Sequence, residues 1–143
     1  MSTELDFDKL KKRIEDIDQA ILEIERLTNV SDEEFFADKR NILSVKYLLL
    51  QAIEATGAIC LHISARKLKK SSEGFVDCFR KLEDNELLNE DLCGRMQKMS
   101  EFRNLLVHEY HKMDDEKILK YARENLNDFK EFTDAVSKMM SSG

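Results

Sequence analysis

The sequence contains no proline and only four glycines among its 143 residues. These are the two residues that interrupt helices most strongly, because proline lacks an amide hydrogen and glycine has the greatest backbone freedom. Runs of β-branched residues are also missing. Charged residues make up 36% of the chain, which is typical of helices that expose one polar face to water. We therefore predict an all-α protein.

Cysteine is scarce as well, and Cys60, Cys78 and Cys93 form no C-x-x-C pair. An odd number without that spacing disfavours a disulfide framework or a zinc knuckle and favours a reducing compartment. The N-terminal segment Met1–Glu4 lacks the basic-then-apolar pattern of a signal peptide. We find no apolar stretch of the ~20 residues that a membrane span needs. These features predict a soluble, cytoplasmic protein that does not enter a membrane.

An excess of positive charge is also absent, since 23 Lys and Arg residues face 29 Asp and Glu residues, giving a net charge of −6. This balance argues against a protein that coats nucleic acid nonspecifically, so that any contact with RNA must be local. The densest basic run is Arg66–Lys70. It is either a solvated helix end, where cations complement the helix dipole, or an RNA contact, and the first interpretation is favoured.

The length predicts one domain, residues 1–143, with a core large enough to need no disulfide. Apolar residues recur every three or four positions, the spacing of amphipathic helices. Asn89 and Asp114 are predicted helix caps, and Ser31 begins a capping box. The pattern predicts a four- to five-helix up-and-down bundle. Its predicted helices are Phe7–Leu27, a short turn with Phe35 and Phe36, Lys39–Leu68, Phe75–Glu83, Glu90 to near His108, and Asp115–Met139.

The second long helix is apolar around nearly its whole circumference. Between Asn41 and Ala65, only Lys46 and Glu54 are charged. A helix of this kind must be covered on more than one side, and a short chain has few helices to do so. We therefore expect a second copy of the chain to cover part of it, giving a homodimer.

The octapeptide RNLLVHEY at residues 103–110 carries the candidate chemistry. The imidazole of His108 can take up and release a proton near neutral pH. The guanidinium of Arg103 and the amide of Asn104 can hold a phosphate. These groups suffice to cut RNA without a metal or another cofactor. The ribose 2′-hydroxyl would attack the phosphate, leaving a 2′,3′-cyclic phosphate and a 5′-hydroxyl, so that DNA would not be cut.

The spacing of Arg103 and His108 raises a geometric problem. Five residues on a helix turn through about 140°, so that the two side chains point well apart. Either the helix ends around Val107, or the two groups converge across a two-fold axis between two copies. Arg103 also falls among core-facing positions, where a charge is unfavourable unless it is paired or reaches a cleft.

Several of these residues also have plain structural interpretations. His108 and His111 are three apart and could form half of a metal site, but no H-E-x-x-H pattern supports a metal. Tyr110 could be a packed aromatic residue with its hydroxyl at the surface. Cys60 and His62 lie in the apolar helix and are expected in the core or at an interface.

The pattern R-N-x-x-x-H-x-Y resembles the signature of the HEPN superfamily, and especially of its HepT-like toxins. The segments Gln51–Ala55, Leu61–Ile63 and Asp128–Phe132 are also similar to that family. The resemblance implies a homodimeric helical bundle of HEPN type with its catalytic cleft at the dimer interface. It also implies an RNA endonuclease that stops growth, with Arg103, Asn104 and His108 as catalytic residues.

The resemblance further implies a partner protein, a nucleotidyltransferase antitoxin of the MntA type. In that family the antitoxin transfers AMP to the tyrosine of the motif, which would make Tyr110 an O-AMP-tyrosine. An alternative is that the chain is a non-catalytic substrate- or nucleotide-binding partner of a nucleotidyltransferase. Arg103 and His108 would then bind a nucleotide or the partner, and no RNA would be cut.

Overall fold

The computed structural model describes residues 5–108 and 114–142. Within these two ranges the chain is helical and contains no strand, which confirms the all-α prediction. Seven helices follow one another: α1 (Phe7–Thr28), α2 (Asp32–Phe36), α3 (Lys39–Arg66), α4 (Phe75–Asp84), α5 (Glu90–His108), α6 (Asp115–Glu124) and α7 (Leu126–Ser142).

Five of these helices begin at a residue whose side-chain oxygen accepts a hydrogen bond from a backbone N–H two or three residues later. Such caps satisfy amide groups that have no partner inside the helix. The predicted caps at Ser31, Asn89 and Asp114 are confirmed, and Asp6 and Asp38 cap α1 and α3 in the same way.

The predicted final helix, Asp115–Met139, is wrong in one respect, because it is broken at Asn125 into α6 and α7. The backbone of Asn125 has φ −113° and ψ 3°, outside the helical region. Its N–H donates to the carbonyl of Tyr121 at 2.9 Å, and its own carbonyl accepts from the N–H of Asp128 at 3.2 Å. Asparagine favours such local turns over a helix interior.

The helix α3 lies at the centre of the bundle and packs against all six other helices. The core around it contains four fully buried phenylalanines: Phe35, Phe79, Phe129 and Phe132. Two of these, Phe79 and Phe132, meet edge to face with ring centroids 5.8 Å apart, a favourable aromatic geometry. The three cysteines are buried free thiols.

His62 belongs to this core, which confirms the structural interpretation of that residue. Its side chain is buried and its Nε2 accepts a hydrogen bond from the backbone N–H of Asp6 at 3.0 Å. Burial lowers the pKa of His62, and the nearby charges of Arg66 and Lys9 lower it further. An Nε2 that accepts this hydrogen bond carries no proton, and the bond ties α3 to the start of α1.

One face of α3 remains uncovered in the single chain. Leu43 and Tyr47 are more than 60% exposed, and Leu61 is also exposed. At ~100° per residue these three side chains share a narrow sector of the helix with the half-buried Leu50 and Glu54. We call these five residues the α3 stripe. Four of its five members are Leu or Tyr, so the stripe is mainly hydrophobic.

The same helix is long and apolar enough, by length and composition alone, to cross a membrane. The expectation that no stretch of the chain meets that criterion is therefore wrong. However, 61% of its most apolar window is buried inside the bundle. The central helix of a helical bundle has the same composition, because its neighbours cover it.

Candidate active site

The candidate site lies along α5, and the core fixes this helix from one side. The aromatic ring of Phe102 stacks on that of Tyr121 from α6, with centroids 4.1 Å apart and planes 6° from parallel. On this side of α5 the buried side chains are Leu92, Met96, Met99 and Leu106. This packing sets the rotation of α5 and so the direction in which Arg103 leaves the helix.

Arg103 is half-buried, and its charge is paired. Its Nε donates a hydrogen bond to Oε1 of Glu54 on α3 at 2.6 Å. The prediction that an arginine among core positions needs a partner is therefore confirmed, and Glu54 is that partner. The pair joins the middle of α3 to the last turns of α5.

A phenylalanine supports the same guanidinium from a second direction. The Cζ atom of Arg103 lies 5.2 Å from the ring centroid of Phe75, the first residue of α4. The ring of Phe75 in turn lies directly on Gly57 of α3, where a Cβ would fall far inside van der Waals contact with it. Glycine at this position therefore lets the ring approach α3 and reach the guanidinium.

Asn104 lies beside Arg103 and faces solvent. Its Oδ1 accepts a long hydrogen bond of 3.4 Å from Nη1 of Arg103. The amide and the guanidinium are thus neighbours at the surface, as two groups that share one phosphate must be. The structure brings together two of the four motif residues in this way.

The other two motif residues are His108 and Tyr110. His108 is the last residue of α5, and its side chain lies outside the described part of the chain, as does Tyr110. Because α5 continues through His108, the backbone position of this residue lies about 140° around the helix axis from that of Arg103. The two positions therefore lie on different faces of α5.

A groove of about 690 Å³ runs between α1 and α3 and reaches the pair at Glu54. Its charged lining includes Asp16, Glu23 and Glu54 against a single arginine, Arg13, and Tyr47 forms part of the same wall. Three carboxylates against one guanidinium do not favour a nucleic-acid backbone. Arg103 meets this groove only through its partner Glu54, which is part of the lining.

A profile described as Ribonuclease HepT-like matches residues 17–136. The chain belongs to the HepT-like ribonuclease family. The matched region runs from α1 to α7 and so includes the arginine, its partner Glu54 and the entire motif. The resemblance to HEPN proteins that the motif indicated is thereby confirmed, together with the ribonuclease class and the HepT-type toxin family.

Known proteins agree with this assignment. The chain is 28% identical over 93 residues to the mRNA nuclease HepT of Shewanella oneidensis, an alignment that covers 65% of this chain and 70% of that protein. A second match is a chain in the solved complex of the tri-AMPylated HEPN toxin of the same organism with its MNT antitoxin. That chain is 25% identical to this one, with a TM-score of 0.84, and the match covers 92% of this chain and 98% of that chain.

A third relative shares the fold alone. The cytosolic protein YutE of Bacillus subtilis, whose function is unknown, has a TM-score of 0.84 and 13% identity, covering 99% of this chain and 94% of its own. The HEPN-type helical bundle predicted from the sequence is confirmed by these comparisons.

Sequence reasoning missed three residues around Arg103, namely Glu54, Phe75 and Gly57. Glu54 carried a signal, because it is one of only two charges in the interior of an apolar helix. The other charge, Lys46, also has a partner, with its Nζ 3.0 Å from Oδ1 of Asp115. An isolated charge on an apolar helix therefore indicated a partner on another helix in both cases. Nothing in the sequence connected Phe75 with Gly57.

Proposed function

We propose that this protein is a metal-independent RNA endonuclease that acts as the toxin of a toxin–antitoxin pair. The observation that carries the proposal is the guanidinium of Arg103, which is held between Glu54 and Phe75 beside the Asn104 amide. This group lies on the helix that ends with His108, the motif's proton carrier. A fixed cation next to an amide is suited to binding a phosphate whose charge grows during the reaction.

In the proposed reaction, His108 takes the proton from a ribose 2′-hydroxyl or gives one to the leaving 5′-oxygen. The new bond joins the 2′-oxygen to phosphorus, and the bond to the 5′-oxygen breaks. Arg103 stabilises the negative charge on the phosphate oxygens, and Asn104 donates a further hydrogen bond. The products are a 2′,3′-cyclic phosphate and a 5′-hydroxyl end.

The proposed active unit is a symmetric homodimer. The positions of Arg103 and His108 lie about 140° apart around the axis of α5, and the proposed cleft therefore takes Arg103 from one copy and His108 from the other. The α3 stripe supports this arrangement, since it is an exposed apolar surface with Glu54, the partner of Arg103, in its middle. Burying this surface against its symmetry mate would cover it and bring two copies of the site together.

The proposed partner is a nucleotidyltransferase antitoxin of the MntA type that modifies Tyr110. The support is the solved Shewanella complex, in which an AMPylated HEPN toxin is bound to its MNT antitoxin. Tyr110 lies two residues after His108, so an attached AMP would be close to the cleft. Its phosphodiester charge would repel an RNA phosphate, and its nucleoside would block access. We place both proteins in the cytoplasm, where the RNA substrate is found.

Cleavage of total RNA by the purified protein in EDTA tests the catalytic proposal. We expect the parent to cut RNA, and His108→Ala and Arg103→Ala to be slower by about 100-fold or more, since each removes a group needed in the transition state. Lys98→Ala removes an exposed cation from the same helix and should cut at the parental rate.

Two results would contradict this proposal. The first is cleavage by His108→Ala at the parental rate. The second is no cleavage by the parent although it still binds the nucleotidyltransferase, which would favour a non-catalytic binding partner. Growth arrest on expression of the chain alone would support the toxin role, and His108→Ala should not arrest growth.

Intact-mass measurement after co-expression with the nucleotidyltransferase tests the modification. The parent should gain the mass of one or more AMP groups, whereas Tyr110→Phe should gain none and remain active. AMP on a different residue, or a Tyr110→Phe protein that is still modified and silenced, would refute Tyr110 as the acceptor.

A further inference from the structure

The hydrogen bond between Glu54 and Arg103 assigns a role to a residue outside the R-N-x-x-x-H-x-Y motif. We propose that Glu54 is a positioning residue that holds the guanidinium of Arg103 in the orientation needed to bind the phosphate of RNA. The inference rests on the proposed ribonuclease function and names a residue on α3 that the reaction depends on.

The geometry of the bond supports this role. Glu54 accepts from Nε of Arg103 at 2.6 Å, which occupies the side of the guanidinium nearest the helix. Asn104 takes only one long contact from Nη1. Among the described residues no other hydrogen bond to the guanidinium is present, so the end formed by Nη1 and Nη2 still has N–H groups to donate. That end is the one that binds two phosphate oxygens at once.

The surroundings of the guanidinium limit its remaining freedom. The ring of Phe75 lies 5.2 Å from Cζ of Arg103, and this ring is itself seated on Gly57. One carboxylate and one aromatic face thus hold a side chain that otherwise has many rotamers. Orientation before substrate binding favours catalysis, because the group need not be ordered during the reaction.

A stabilising salt bridge alone would not explain the arrangement. The side chains of Arg103 and Glu54 are 30% and 44% exposed. Ion pairs at such exposure contribute little to folding, on the order of 0–1 kcal/mol. A carboxylate beside a phosphate site also repels the substrate. If Glu54 were only structural, its removal should therefore leave cleavage unchanged or speed it, whereas a positioning role means that its removal slows cleavage. The two interpretations therefore predict opposite effects of removing Glu54 on cleavage.

The chain offers a matched control in Glu131. Its Oε2 accepts from Nη2 of Arg95 at 2.6 Å, and its side chain is 41% exposed, close to the values for Glu54. This pair joins α5 to α7 on a part of the bundle away from Glu54. Glu131→Ala therefore removes an equivalent ion pair without touching Arg103.

The experiment compares steady-state cleavage of a fluorescent RNA oligonucleotide by full-length Glu54→Ala, Glu54→Gln and Glu131→Ala. Glu54→Ala should lower kcat by about 10- to 100-fold with KM changed by less than about threefold, because orientation affects the transition state most. Glu54→Gln keeps an oxygen acceptor for Nε and should recover part of the loss. Glu131→Ala should retain the parental kcat. In an Arg103→Ala background, Glu54→Ala should have no further effect, since Glu54 acts through Arg103.

A parental or increased kcat in Glu54→Ala would overturn the positioning role, and so would an equal loss in the Arg103→Ala background. A second readout does not depend on activity. The NMR signal of the Arg103 Nε–H should shift in Glu54→Ala and not in Glu131→Ala, and an unchanged signal would also overturn the role. If the parent cuts no RNA while this signal shifts as expected, the ribonuclease proposal is refuted, but the orientation of Arg103 by Glu54 is still supported.

Discussion

Gly57 and Gly94 allow a paired test of how the fold supports Arg103. Both are helical glycines, one in α3 and one in α5. A Cβ at Gly57 would overlap the ring of Phe75, whereas a Cβ at Gly94 would meet nothing within 4 Å. Replacing each by alanine therefore adds the same methyl group to two helices in opposite surroundings.

The two substitutions should change the free energy of unfolding in opposite directions. In a helix, alanine is favoured over glycine by ~0.5–1 kcal/mol, so Gly94→Ala should stabilise the protein by about that amount. Gly57→Ala gains the same term but must displace the Phe75 ring, and overpacking of this kind costs about 1–3 kcal/mol. The two variants should differ by about 2 kcal/mol, or roughly 6 °C in Tm for a chain of this size.

The displaced ring should also affect function, because it supports the guanidinium of Arg103. We expect Gly57→Ala to cleave RNA about tenfold more slowly, while Gly94→Ala keeps the parental rate. Adding Phe75→Leu to Gly57→Ala should restore stability, since a smaller side chain relieves the overlap, but should not restore the lost aromatic support. Thermal unfolding and single-turnover cleavage measure the two effects. A Gly57→Ala protein as stable and as active as Gly94→Ala would refute this reasoning.

Three further predictions concern pH, assembly and the ion pairs of α5. Because folding lowers the pKa of His62, protonation of this residue favours the unfolded chain. The free energy of unfolding should therefore be highest above the pKa of ~6.5 in the unfolded chain and should decrease as pH falls below that value. His62→Gln keeps an acceptor for Asp6 and should make the free energy of unfolding less dependent on pH between about 7.5 and 5.5; an unchanged pH dependence in chemical denaturation would contradict this. Leu43→Glu should convert the proposed dimer into monomers in light scattering, whereas Leu22→Glu, equally an exposed leucine but outside the α3 stripe, should not. Arg95→Ala should cost about 2–3 kcal/mol in urea denaturation, because it leaves the buried carboxylate of Asp128 unpaired, and a loss below about 0.5 kcal/mol would argue against this pair.

Much of the fold was predictable from local signals in the sequence. The spacing of apolar residues and the side chains of Ser31, Asn89 and Asp114 gave the helices and several of their first residues, since caps act within three residues. The break at Asn125 was missed because the apolar pattern of α6 continues into α7 with little change of phase. The asparagine alone does not reveal that the backbone turns there.

Part of the candidate site depends on residues that are close in sequence, and part depends on residues that are far apart. The motif residues are close in sequence, so their chemistry could be predicted from one short segment. The support of Arg103 comes from α3 and α4, tens of residues away, and depends on how three helices cross. The isolated charge of Glu54 in the sequence of an apolar helix was a usable signal for this partner. The contact between the Phe75 ring and Gly57 had no such signal in the sequence, because glycine occurs within helices for many different reasons.

Mixing two inactive variants tests the central claim most directly, namely that RNA is cut in a cleft formed by Arg103 of one copy and His108 of the other. Arg103→Ala and His108→Ala subunits are unfolded together, refolded and assayed on RNA. Random pairing makes about half of the dimers mixed, and each mixed dimer has one intact cleft of two, so that about a quarter of the parental activity should return. Mixed dimers that form, as native mass spectrometry would show, yet remain as inactive as the separate variants would contradict the account.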